Sequence, residues 1–153
     1  MAKLELGSPA ELEKLVGQEL GTSDWIDVTQ EKVNAFADAT GDHQWIHVDV
    51  ERAKKESPFG GTIAHGYWTV ATIAQVMFQI LSVKSKLVVN YGLNRVRFPA
   101  PVHVGKRVRG HAKLKNYKDL GGSNAEVEFE VKVEVEGTEK PACVAEIVYR
   151  YYA

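Results

Sequence analysis

The sequence predicts an α+β fold in which a curved antiparallel sheet wraps one long central helix. Two observations carry that reading. The stretch "GYWTVATIAQVMFQIL", residues 66–81, is apolar on nearly every side, the pattern of a helix surrounded by protein. Downstream of it, four segments divided by Pro and Gly read as strands. The third alternates strictly, with Val127, Phe129, Val131, Val133 and Val135 on one face and Glu126, Glu128, Glu130, Lys132, Glu134 and Glu136 on the other. Strands with one wet face favour antiparallel pairing, because parallel sheets are covered on both faces and lose the alternation. The 153 residues suit one domain, 1–153, long enough to bury a core.

Taken in order, "GSPAELEKL" places Ser8 as N-cap, Pro9 at the first helical position and Glu11 as the capping-box partner of a short helix. "SDWIDV" is briefly extended. "TQEKVNAFADAT" offers Thr29 as N-cap, Val33, Phe36 and Ala37 at helical spacing, and a stop at Gly41. "TGDHQWIHVD" then reads as a loop, followed by a short polar helix from Asp49 that "PFGG" breaks. The strands after the central helix are "LVVNYGLNRVRFPAPV", "RVRGHAKLKNYKDL", "NAEVEFEVKVEVEG" and "PACVAEIVYRYY". Tracts such as "LVVNYGL" and "YRYY" are apolar over more surface than one helix covers, which predicts a homodimer.

Composition narrows the function. Apolar residues make up 44%, charged residues 25%, and the net charge is −1, so no strong field points to nucleic acid. The apolar stretch at residues 68–81 is interrupted by Thr and Gln and falls short of the roughly 20 residues that span a bilayer, so no membrane insertion is expected. "MAKLELGSPAELEKL" lacks the apolar run and cleavage site of a signal peptide, and a cytoplasmic location is expected. Cys143, inside an alternating run, reads as a small buried side chain. Trp25, Trp45 and Trp68 read as packing residues, with Trp45 also placed to line a substrate channel.

Two features carry chemistry. Asp42 and His47 stand five residues apart, and a loop can curl both inward. A carboxylate and an imidazole can share one water, the first accepting a proton while the second orients or donates. The same residues also read as a loop braced by hydrogen bonds. With His43 and His65 nearby a metal site comes into view, but no zinc spacing such as H-E-x-x-H is present, and no metal is expected. His65 reads as a support for its turn. The second feature is Gly66, where the apolar helix begins: a helix N-terminus presents free N–H groups, and a glycine there lets a ligand oxygen approach, or simply provides a flexible joint. Together the two features could hold a water and stabilise the enolate of a thioester.

At these motifs the chain resembles the MaoC-like, R-specific enoyl-CoA hydratases of the hot-dog superfamily, in particular the NodN-like members. The pattern G-D-x-N-P-x-H, followed by H-G at the start of the central helix, stands here as "GDHQWIH" and "TIAHG". The resemblance implies a hot-dog fold paired as a homodimer and a substrate that is an acyl thioester of CoA or acyl carrier protein. It implies no cofactor. Asp42 and His47 fall on the catalytic pair that holds the water adding to C3, and Gly66 on the amide that binds the thioester oxygen. Gln44 and Trp45 replace the usual Asn and Pro. Gln44 keeps an amide able to touch substrate, and the altered loop bears on acyl-chain preference. Two other activities suit the fold: an acyl-CoA thioesterase, which generally carries a carboxylate near a central helix that here has none, and a non-catalytic acyl-thioester binder.

Overall fold

The computed structural model describes residues 2–153. The elements run β1 (Leu4–Leu6), a 3-10 segment (Pro9–Leu15), β2 (Glu19–Thr22), β3 (Ile26–Asp27), α1 (Gln30–Thr40), α2 (Trp45–Val48), α3 (Val50–Glu56), α4 (Gly66–Ile80), β4 (Leu81–Val83), β5 (Leu87–Arg97), β6 (Arg107–Gly121), β7 (Asn124–Val135) and β8 (Cys143–Tyr152). The main sheet is antiparallel in the order β2-β6-β7-β8-β5, with β3 also paired to β6. Register shifts interrupt β2–β6, β5–β8 and β6–β7. Such bulges bend a sheet, which suits one that has to curve round a helix.

The alternation of β7 becomes its pleat. Val127, Phe129, Val131, Val133 and Val135 are buried in the core. Beside them lie Val108, Ala112 and Leu114 of β6, and Cys143, Ala145, Ile147, Tyr149 and Tyr151 of β8. Against this surface α4 buries Trp68, Ile73, Val76, Met77 and Ile80. The approach is close at Gly110 on β6, where a Cβ would collide with the side chain of Val76. Cys143 is fully buried, and desolvation pushes its thiol up to about 11, so it stays a protonated packing group at neutral pH.

The outer side of α4 departs from the expected all-round cover. Tyr67 is 77% exposed and Phe78 62%. Edge strand β5, paired to β8 alone among the described residues, is likewise open along Leu87, Val88, Val89, Tyr91 and Leu93. Other differences from the sequence reading are local. The capping box at Ser8 does not form: the segment winds as a 3-10 helix, the Glu11 N–H donates to the Ser8 carbonyl at 3.3 Å, and the Ser8 side chain caps nothing. Strands β1 and β4 form a two-stranded parallel pair that three residues of alternation are too short to announce.

Candidate active site

The loop after α1 is built from its ends inward. Thr29 caps α1 by accepting the Lys32 N–H at 3.2 Å, and Gly41 closes the helix with φ +81°, a left-handed conformation that costs a glycine little. The chain then turns through Asp42, whose Oδ1 accepts the Gln44 N–H at 3.3 Å, and enters α2, a single turn inside what reads from sequence as loop. That turn points His47 inward, leaving it 7% exposed. Its Nδ1 lies 2.7 Å from the Ile63 carbonyl oxygen, so Nδ1 carries the proton and Nε2 is left as the bare nitrogen of the neutral ring. Burial is the main reason why the His47 pKa lies below its ordinary 6.5; the Ile63 carbonyl and Asp42 push it upward, and neighbouring His65 pushes it further down.

Gln30 ties this turn to the segment before α4. Its Nε2 donates to the His47 carbonyl at 2.7 Å, and its Oε1 accepts from the Thr62 hydroxyl at 2.7 Å. The Ile63 N–H donates to the Ile46 carbonyl at 3.1 Å. His65 follows, with its ring stacked on His47 at 3.9 Å between centroids and its Nε2 donating to the Asp42 main-chain oxygen at 3.0 Å. Gly66 opens α4. No side chain caps this end, and the Gly66 N–H has no acceptor among the described residues. The ring of Phe98 sits over the glycine so closely that a Cβ there would lie 3.1 Å from it.

The carboxylate of Asp42 and the rings of His47 and His65 thus offer polar atoms within 4.8 Å of one another. One water with two hydrogen bonds of about 2.7–3.2 Å at a tetrahedral angle spans about 4.4–5.2 Å, so a single solvent molecule can touch both Asp42 and His47. A cation suits the three groups less well. The near-parallel rings, 25° apart, send their in-plane lone pairs alongside one another, whereas a tetrahedral ion needs them to converge at about 2 Å.

His43, though adjacent in sequence, turns away to pair with Asp38 at 2.9 Å. Gln44 braces Asp42 through its main chain while its side chain is exposed. His103 contacts the Phe59 carbonyl, and His111 bridges Thr22 and Glu134, so both have partners outside the centre. Trp68 is buried, whereas Trp45 and Trp25 lie nearer the surface beneath Arg52 and Arg109, each guanidinium 4.3 Å from its ring. Gln30, Thr62 and Phe98 are absent from the sequence reading. Gln30 reaches His47 from 17 positions away, and Thr62, though inside "TIAHG", is tied in through Gln30, 32 positions away, so no local pattern marks these contacts.

A sheet packed on the inner side of a central helix, with a polar centre at the helix mouth, describes a hot-dog domain, and its family and relatives make it an enzyme of the hydro-lyase class. The family model for the MaoC-like domain matches residues 11–137, and the chain belongs to that family. It is 55% identical over 147 residues to the 3-hydroxyacyl-thioester dehydratase Z of Mycobacterium tuberculosis, covering 95% of this chain and 97% of that one. It is 46% identical over 140 residues to nodulation protein N of Rhizobium leguminosarum bv. viciae, covering 90% and 87%. Among solved structures, the unliganded R-hydratase PhaJ1 of Pseudomonas aeruginosa shares the fold, with a TM-score of 0.72 at 22% identity over 95% of this chain and 85% of that one.

Proposed function

We propose that the protein reversibly hydrates a trans-2-enoyl thioester, on CoA or acyl carrier protein, to the (R)-3-hydroxyacyl thioester. One observation carries this reading: Asp42 and His47 stand within the span of one water, and His65, stacked on His47, immediately precedes the uncapped amide of Gly66. The water donates one hydrogen to the carboxylate and the other to the bare Nε2 of His47. As its oxygen bonds to C3, the O–H bond facing Asp42 breaks and the proton passes to the carboxylate. The C2–C3 π electrons move toward the thioester carbonyl, whose oxygen becomes an enolate held by the Gly66 N–H. Return of the proton from Asp42 to C2 completes the addition, and the dehydration runs the same path backwards. The name of the mycobacterial relative supports the thioester, and the R configuration is what the resemblance to the R-specific hydratases implies.

A groove of about 560 Å³ between α1 and the outer side of α4, lined by Phe36, Trp68, Ala71, Ala74 and Phe78, suits the acyl chain. Its apolar wall and its start at Phe36, which packs on His65 at 5.0 Å, favour that use. We propose further that the enzyme is one cytoplasmic domain working as a homodimer, since edge strand β5 and the open side of α4 each expose large apolar side chains. No helix among the described residues is long and apolar enough to cross a membrane.

The test is the loss of enoyl-thioester absorbance with purified protein and a series from crotonyl-CoA to longer chains. Asp42→Asn and His47→Gln are each expected to lower kcat by about 10²- to 10⁴-fold while the circular dichroism spectrum is kept. Absence of hydration at every chain length, or undiminished rates in both variants, overturns the reading.

A further inference from the structure

His65 is a buried imidazole that the mechanism above leaves idle, and the way it is held is unusual. It is 2% exposed, and its Nδ1 is the single buried side-chain nitrogen or oxygen among the described residues that has no hydrogen-bond partner. A buried polar atom without a partner opposes folding. If the ring served only to fill space between Phe36 and His47, a phenyl ring would fill it without that penalty. The polar atom that does have a partner is Nε2, which donates to the main-chain oxygen of Asp42.

His65 also has an unusual place in the chain. It immediately precedes Gly66, its side chain reaches back 23 residues to Asp42, and its ring lies flat on His47 at 3.9 Å. One residue therefore touches every part of the proposed centre. His47 is tied to Ile63 and Gln30, and His65 is the tie between the Asp42 turn and the start of α4. We propose that His65 is a positioning residue: it fixes the Asp42 turn and the His47 ring relative to the amide of Gly66, so that water and thioester oxygen are presented at the correct separation. Misplacement of reacting groups by about 1 Å is enough to cost about 100-fold in rate. The inference rests on the hydratase reading for its kinetic consequence, but its geometric content is independent of turnover.

Three substitutions separate the two contacts. His65→Gln keeps an N–H donor for the Asp42 carbonyl and loses the ring; His65→Phe keeps the ring and loses the donor; His65→Ala loses both. Each is measured for kcat and KM with crotonyl-CoA, and for the NMR titration of the His47 ring without substrate. The titratable groups facing that ring are Asp42 from the turn and His65 itself. The Phe and Ala variants are expected to lose about 10- to 100-fold in kcat with KM nearly unchanged. The Gln variant should recover a substantial part of kcat, and the His47 midpoint should move upward in all three. Full kcat in folded His65→Phe and His65→Ala overturns the proposal, as does an equal loss in Gln and Ala. If His65→Ala does not fold, the Gln and Phe pair decides. If the wild type hydrates nothing, the hydratase reading fails by itself, and the backbone NMR signals of the Asp42 turn still decide: signals unmoved in His65→Phe overturn the positioning role, and signals moved in His65→Phe but restored in His65→Gln uphold it.

Discussion

At the scale of single residues, the site is a matter of which nitrogen is free and which state it is in. His47 gives its Nδ1 proton to Ile63 and is pushed toward the neutral form chiefly by burial. A neutral ring is the one that can accept a hydrogen bond from water. The fraction in that form falls as pH drops through the lowered pKa, so the acid limb of kcat/KM for hydration should be centred below 6.5. An acid limb centred above 6.5 in the kcat/KM profile of the free enzyme contradicts this. Linkage gives the same group an effect on stability: the unfolded chain takes up the proton more readily, so this contribution is lost as pH falls below 6.5. Asp42, His47 and Gly66 stand out in the sequence because each belongs to a short motif. The roles of His65, Gln30 and Thr62 do not, because each is defined by a contact to a distant turn, and a ring buried in a turn looks the same in sequence whether it braces a site or merely fills space.

At the scale of elements, legibility follows length. Strands β5 to β8 and helices α1 and α4 extend over ten or more residues and declare their period, and α3 is marked by its cap at Asp49 and the break at "PFGG". The four-residue α2 and the three-residue β1 and β4 are too short to complete a repeat, and they form because neighbours hold them. How tightly the sheet grips the central helix is also invisible in one dimension. Gly110 lies between Arg109 and His111 of β6, and only the packed structure reveals that Val76 occupies the space a Cβ would need. Gly110→Ala should therefore destabilise the fold by about 1–3 kcal/mol, seen as a fall in the urea midpoint with little change in slope. Combining it with Val76→Ala should cost less than the two single changes added together, because the smaller side chain vacates the contested volume. Strict additivity places the strain elsewhere. The same region contains a satisfied pair: Ser23 and Gly110 exchange hydrogen bonds, N–H to carbonyl and N–H to hydroxyl, both at 2.9 Å.

At the scale of the whole molecule, the exposed face of the chain poses a question of energy. Burying a large apolar side chain is worth about 1.5–3 kcal/mol, and Tyr67, Phe78, Leu87, Tyr91, Leu93 and Phe98 are all left at 46% exposure or more by a single copy. Along β5 both the outer peptide edge and the side chains are open, the combination that invites another strand and that monomers usually blunt with charge or proline. A second copy meeting this strand about a two-fold axis would satisfy both, and in such an interface each substitution is felt twice. Leu93 gives a sharp test. It is 46% exposed, so a lone chain should tolerate a glutamate there with its thermal midpoint nearly intact. Between two copies the same change brings two like charges into an apolar seam. Light scattering on a sizing column should therefore give twice the chain mass for the wild type and a single chain mass for Leu93→Glu at micromolar concentration. Because Phe98, the residue after β5, covers Gly66, hydration should fall along with the dimer, and raising the protein concentration should restore both together. A wild type that elutes as a single chain, or a monomeric Leu93→Glu with full activity, shows that the proposed centre is complete within one copy.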